Sequence, residues 1–415
     1  MALRVVAHRP NPAILNLPWS ERLEDWGDEV VVPMPRGLSR HIVRIIRVGD
    51  ELLAVKETEE PMALREYRLL RDLQRLQLPS VLPHAVIAGR TDADGEELPA
   101  ALITRHLPFS LPYRVLFSHG VTLADLPSLV DAMVVLLVRL HLSGFYWGDV
   151  SLSNVLFRRD AGAFAAYLVD AETGELQPEL SARMRTYDVT VGTENIFAEI
   201  LDLQASNPAY SGIDPEDTVE MLLTRYDQLW SELTAEEVFD AEDLWRVEQR
   251  IERLNDLGFD VEELDIVTDF DGDTVRLIPR VVELGHHRRE LQALTGLAVE
   301  DNQARRLLND LASFSAAHDL GREERLLVAN RWMTTIFDPI VAMIPAGARG
   351  KLEPAEVFHE ILVHRWYLSE RAGHEVDIFE TARDYFDSVL AGKPDEAVAT
   401  PEVEDLDAAP LLDTE

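Results

Sequence analysis

The hydrophobic period of this chain changes along its length, and that change limits the folds open to it. Between residues 28 and 56, the segments D-E-V-V-V-P-M-P, H-I-V-R-I-I-R-V and E-L-L-A-V-K carry β-branched runs around a Gly49-Asp50 turn, the pattern of strands joined in a hairpin. Val81–Ile87 and Ala100–Thr104 read as two further strands. Residues 62–77 switch to helical spacing, with Leu64, Tyr67, Leu70 (or Leu69), Leu73 and Leu76 on one stripe. From about residue 193 nearly every segment has helical spacing: 193–205, 215–233, 240–257, 286–295, 300–318, 322–343, 353–372 and 377–391. One hairpin interrupts them, D-I-V-T-D-F and T-V-R-L-I-P around D-G-D. A mostly antiparallel sheet with one inserted helix, followed by helices, is an α+β arrangement.

Between these regions the chain changes character. Leu123–Ser143 reads as a long helix, with Thr122 as its N-cap and a stop at Gly144. Its apolar stretch, Leu129–Leu140, contains Asp131 and Arg139 and is too short to span a bilayer. F-Y-W-G-D-V-S-L-S-N-V-L-F then runs from a loop into a strand, and A-Y-L-V-D forms a second. The expected division is an N-terminal extension (1–27), a unit at 28–205 with a sheet lobe (28–105) and a helical lobe (106–205), and a mainly helical domain at 206–392. Residues 393–415 hold eight acidic residues, one lysine and three prolines without periodicity, and read as a disordered acidic tail.

At 415 residues and 47% apolar, the chain has room for two or three domains with real cores. Its net charge of −36 repels nucleic-acid phosphates and anionic membranes, so neither is an expected partner. The absence of cysteine excludes disulfides, thiol catalysis and thiolate zinc sites. With an N-terminus that lacks the apolar core of a signal peptide, this composition fits a cytoplasmic protein.

Lysine is rare. Lys56, Lys351 and Lys393 are the only lysines among 39 basic residues. A guanidinium is a planar fork and an ammonium a compact point charge, so a lone lysine on a strand suggests a site that wants the point charge. Gripping phosphate is one such task, and the setting A-V-K is that of a nucleotide-binding lysine. A chance surface lysine is the plain alternative. Three elements then line up in order: Lys56 with Glu66 on the following helix, the loop Asp149-Val-Ser-Leu-Ser-Asn154, and Asp170 at the end of L-V-D. That is the layout phosphoryl transfer requires. Asp149 would orient an acceptor hydroxyl and take its proton. Asn154 and Asp170 are hard oxygen donors suited to Mg²⁺. Lys56 would neutralise phosphate, and Glu66 would aim it, with Glu57, Glu59 and Glu60 as competitors for that role. Asp188 reads equally as a brace on the loop or as a helix cap, His141 as a helix-closing residue and Trp147 as packing.

The run H-L-S-G-F-Y-W-G-D-V-S-L-S-N-V-L-F from His141 resembles the catalytic segment of lipopolysaccharide kinases and related small-molecule kinases of the protein-kinase-like superfamily, in which His141, Gly144, Asp149 and Asn154 match the pattern. The resemblance covers about residues 30–205 and implies a bilobal protein-kinase-like, ATP-binding fold with its active site between the lobes. There are departures. Trp147 replaces the usual histidine, Ser151 stands where protein kinases carry lysine, and Asp170-Ala-Glu172 replaces the usual metal-binding triplet. The glycine-rich loop is reduced to Gly37, with Ser39 nearby, as an expected phosphate contact. V-T-D-F-D-G-D-T-V-R-L-I-P and H-E-I-L-V-H-R-W-Y-L-S-E resemble a domain of unknown function, number 4032, which follows such modules mainly in actinobacteria and supplies no activity.

The expected protein is an ATP- and Mg²⁺-dependent kinase acting on a hydroxyl of a small molecule, sugar or glycolipid. Asp149, Lys56 and Glu66 are its expected catalytic residues. Lys56, Gly37, Ser39, Asn154 and Asp170 would bind the nucleotide, with Asn154 and Asp170 on the metal. The alternative is a pseudokinase that senses nucleotide and engages a protein partner through its C-terminal domain.

Overall fold

The structure is a computed structural model that describes residues 3–8, 11–33, 42–116, 121–207, 210–235, 237–240, 245, 249, 259–268 and 274–397. Five antiparallel strands form the first sheet: β1 (Arg4–Ala7), β2 (Val43–Val48), β3 (Glu51–Thr58), β4 (Pro83–Ala88) and β5 (Ala100–Arg105), in the order β1-β4-β5-β3-β2. The Gly49-Asp50 turn sets Val48 opposite Glu51 and Val43 opposite Lys56. Pleating sends alternate residues to opposite faces. On one face Leu53, Val55, Ile87 and Ile103 are buried with Ile14, Trp19, Leu23 and Trp26. The segment read as an extension before residue 28 therefore forms one wall of the sheet. Arg90 closes that wall, pairing its buried guanidinium with Glu57 at 2.7 Å and donating to the carbonyls of Trp19, Glu21 and Pro99. The other face packs Val86, Ala88 and Leu102 on helix α1 (Glu60–Arg75) through Ala63, Tyr67, Leu70 and Leu73. Leu76, placed on this stripe by spacing, lies past the helix end and is 44% exposed.

The next lobe contains β6 (Ser110–Pro112), α2 (Tyr113–Leu116), α3 (Leu126–Leu142), β7 (Phe145–Tyr146), β8 (Val155–Asp160), β9 (Ala163–Leu168), β10 (Glu175–Leu176) and α4 (Ala182–Ser206). Helix α3 is apolar on nearly every side and runs through the interior. The core continues past the boundary read at 205. Helix α5 (Pro215–Thr234) starts at an Asp214 cap and places Leu222, Tyr226, Leu229 and Leu233 in the same core as α3 and α4. The expected hairpin is present as β12 (Phe259–Thr268) and β13 (Thr274–Leu284), with β11 (Glu237–Asp240) added beside β13. Its D-G-D turn, and all of the expected helix 240–257 except Asp240, Trp245 and Gln249, lie outside the described residues; Asp240 ends β11.

A second core belongs to the C-terminal helices α6 (His286–Thr295), α7 (Asp301–Ala317), α8 (Arg325–Trp332), α9 (Asp338–Ala342), α10 (Pro354–Ala372) and α11 (Ile378–Ser388). The single helix expected over 322–343 is divided by a π turn at Met333–Phe337. Pro339 lacks an N–H and crowds the preceding turn, and the wider turn accommodates it. This part is clamped to the β8–β9 hairpin. Arg158 pairs with Glu300 at 2.5 Å and Glu353 at 2.7 Å. Asp160 accepts from the Gln303 N–H at 2.8 Å and from the Asn302 side chain at 3.0 Å. Arg159 pairs at 2.7 Å with Glu396, a buried residue in the segment read as a disordered tail; residues 398–415 lie outside the described residues. No helix among the described residues is long and apolar enough to cross a membrane.

Burial pushes the His106 imidazole down to about 4, and it lowers His84, His141, His287 and His359 as well. A base depressed in the fold takes its proton more readily when unfolded, so its contribution is present above 6.5 and is lost as pH falls toward about 4. Asp160 acts in the opposite sense, because burial raises its carboxyl to about 8. Comparison with a variant isolates His106. His106→Gln should gain on the wild type by about 1 kcal/mol for each pH unit below 6.5 in urea denaturation. A constant difference between the two proteins would show that His106 is not held neutral.

Candidate active site

Strand register decides where Lys56 points. It stands opposite Leu102, which is buried on the α1 face of the sheet, so its side chain projects from that face. Glu66 interrupts the apolar stripe of α1 and is 1% exposed. Lys56 Nζ donates to Asp170 at 2.8 Å, Glu66 at 3.1 Å and Glu172 at 3.2 Å. The competing Glu57 is taken by Arg90 and Glu60 by Arg4, and on α1 it is Glu66 that meets Lys56. Burial opposes the Lys56 charge, but the three carboxylates outweigh it and raise the Lys56 pKa. Burial also raises the Glu66 carboxyl, against the pull of Lys56.

The second half of the site is the loop after β7. Asn154 Nδ2 donates to the Asp149 side chain at 3.1 Å and to its carbonyl at 3.0 Å. From α4, Asn195 donates to the other Asp149 oxygen at 3.3 Å and to the Val150 carbonyl at 3.0 Å. Glu199, one turn further, accepts the N–H groups of Leu152 and Ser153 at 2.7 and 2.9 Å. Asp188 is a brace, not a cap. Fully buried within α4, it accepts from the Trp147 and Gly148 N–H groups, both at 2.8 Å. The His141 ring lies between Asp188 at 3.1 Å and the Tyr226 hydroxyl at 2.6 Å. Gly148, just before Asp149, has φ +80°, a conformation that strains any residue with a Cβ.

The two halves are joined by backbone. Val155 pairs with Leu168, and the Val169 N–H donates to the Asn154 carbonyl at 3.0 Å, so Asn154 and Asp170 sit at adjoining strand ends. Trp147 does more than pack. Its indole N–H donates to the Asp170 carbonyl at 3.1 Å, and its own carbonyl accepts from Thr173 at 2.7 Å. The structure thus brings Lys56, Glu66 and Asp170 into contact, and Asp149 and Asn154 into contact. Gly37 and Ser39 lie outside the described residues. Neither Asn195 nor Glu199 was assigned a role from the sequence. Their spacing from Asp188, on one face of a helix, is the signal that could have marked them.

The donor chemistry suits a hard divalent cation. Mg²⁺ takes oxygen ligands, and Asp170 and Asn154 each offer one at neighbouring strand ends. Oxygens of Glu66, Asp170 and Glu172 also lie within 4.8 Å of one another. In the C-terminal helices His364 is paired with Asp384 at 2.6 Å.

Residues 42–190 match the lipopolysaccharide kinase (Kdo/WaaP) family, and residues 228–390 match a domain of unknown function, DUF4032. A solved structure described as WaaP in complex with acyl carrier protein aligns with 55% of this chain and 98% of its own, at 14% identity and a TM-score of 0.32. No curated protein matches the chain. The sheet lobe, the helical lobe and the family match over residues 42–190 together give that part of the chain a kinase-like fold.

Proposed function

We propose that the chain is a cytoplasmic phosphotransferase that moves the γ-phosphoryl group of ATP to a hydroxyl of a small molecule, sugar or glycolipid. The observation that carries this reading is the convergence of Lys56, Glu66 and Asp170, joined through Trp147 and the β8–β9 ladder to Asp149 and Asn154. Asp149 accepts the acceptor's hydroxyl proton as that oxygen bonds to the γ-phosphorus and the bond to the ADP leaving oxygen breaks. Lys56 neutralises the α- and β-phosphates, and Glu66 keeps it aimed. Asn154 and Asp170 would hold Mg²⁺, which when bound offsets phosphate charge. Ser151, in place of a lysine, favours a small acceptor over a protein. The C-terminal helices are a candidate seat for a protein partner.

Nucleotide binding tests the first step. ATP with Mg²⁺ should raise the melting temperature of the wild type, and Lys56→Met should weaken binding by about tenfold or more, as expected for loss of a charge-assisted contact. No shift in the wild type at saturating nucleotide would sink the reading. One observation favours a second reading: Glu172 occupies Lys56 alongside Glu66 and Asp170. A pseudokinase would bind nucleotide without turnover on any hydroxyl acceptor.

A further inference from the structure

We propose that Glu172 sets the order of binding at this site: it competes with nucleotide phosphate for Lys56 and releases the ammonium only when a divalent cation draws Glu172 and Asp170 away. The proposal rests on the phosphotransferase reading and concerns its regulation. An ammonium has three N–H donors. Lys56 has three carboxylate partners, Asp170, Glu66 and Glu172, at 2.8, 3.1 and 3.2 Å. In this arrangement every donor is committed and none remains for phosphate.

The three partners are not equivalent. Glu66 is buried on α1 and held from both ends, one oxygen on Lys56 and the other accepting the Ala171 N–H at 3.3 Å. It stays with Lys56 whatever else binds. Asp170 and Glu172 stand on the loop after β9 with side chains 22% and 20% exposed, open to solvent and to an arriving ion. Phosphoryl transfer assigns tasks to Glu66 and Asp170 but none to Glu172. Charge points the same way. Three carboxylates around one ammonium leave two uncompensated negative charges, which repel a polyphosphate. A divalent cation cancels them. It also replaces Lys56 as the counter-charge of Asp170 and Glu172, so the ammonium keeps Glu66 and regains two donors for phosphate. Cation binding then precedes productive nucleotide binding, and nucleotide without a cation meets an occupied lysine.

The scarcity of lysine supplies a direct test on the full chain. Lys351 and Lys393 contact each other's region of the C-terminal part, where Lys393 pairs with Glu360, and they serve as internal controls. Acylation by an N-hydroxysuccinimide ester, read by peptide mass spectrometry, reports how tightly each amine is held. Glu172→Gln should raise Lys56 labelling about threefold or more relative to the controls, as loss of one of three charged partners requires. Mg²⁺ should raise it in the wild type and raise it less in the variant, where only Asp170 remains to be drawn away. In calorimetry, Glu172→Gln should tighten cation-free ADP binding about tenfold and shrink the enhancement by Mg²⁺. Glu172→Ala should behave the same way, which separates loss of charge from any effect of the amide. Unchanged labelling and unchanged cation-free affinity in both variants would overturn the proposal while leaving the phosphotransferase reading in place. Failure of every protein to bind nucleotide, with or without Mg²⁺, would overturn that reading and this proposal with it.

Discussion

Asp149→Asn is expected to cut phosphoryl transfer by about 10³-fold while leaving nucleotide binding and the fold intact. The loop that carries Asp149 is held by contacts that do not involve its carboxylate. Asp188 holds the backbone on one side of it, at Trp147 and Gly148, and Glu199 holds the other, at Leu152 and Ser153. Removing the charge therefore removes the proposed base without releasing the loop. The carboxylate's two oxygens are each met by an amide, from Asn154 and Asn195. An asparagine at 149 offers one accepting oxygen to these two donors and has no capacity to take a proton. Lys56 and Asp170 are untouched, so the thermal shift with ATP and Mg²⁺ should persist. Transfer of γ-labelled phosphate at the wild-type rate would remove Asp149 from the mechanism.

Asp188→Ala should have the largest effect on stability, about 3 kcal/mol or more, because several buried donors lose their acceptor at once. One Asp188 oxygen accepts from Gly148 at 2.8 Å; the other accepts from Trp147 at 2.8 Å and faces His141 at 3.1 Å. Burial lowers the His141 pKa and favours the neutral ring, in which Nε2–H donates to Asp188 and Nδ1 accepts from the Tyr226 hydroxyl. The chain Tyr226–His141–Asp188 thus ties α5 through α3 to the loop before Asp149. Its loss should loosen the loop as well as the core, so transfer should fall even below the melting transition. Asp188→Asn keeps one accepting oxygen and should cost less than the alanine variant. A urea midpoint for Asp188→Ala close to the wild-type value would show that the loop is held by other means.

Much of this arrangement was legible because it is local. The hairpin around Gly49-Asp50, the helix after Lys56 and the strands on either side of Asp149 and Asp170 follow from period and turn chemistry, which act over a few residues. The order Lys56, Glu66, Asp149, Asn154, Asp170 carried the candidate site for the same reason, since each residue occupies a marked position on its own element. The boundary at 205 misplaced α5 because a composition change marks where one helix ends, not which core the next one enters; Leu222 and Tyr226 would suit either. The N-terminal wall was missed for a related reason. Ile14, Trp19, Leu23 and Trp26 lie on short turns whose apolar residues have no period.

What the sequence marked by itself is the order of the main strands and helices and the side chains that are candidates for phosphate and a hard cation, Lys56, Glu66, Asp149, Asn154 and Asp170. What only the tertiary structure decided is pairing across long stretches of chain. Lys56 meets Glu172 as well as Glu66 and Asp170, Asn195 and Glu199 turn toward the loop of Asp149, and Glu300, Gln303 and Glu396 grip the hairpin whose ends hold Asn154 and Asp170. The physical reason is common to all of them. A carboxylate or amide finds its partner through space, by how elements pack, and in an acidic chain with 75 aspartates and glutamates no local pattern distinguishes the few that are paired from the many that face water.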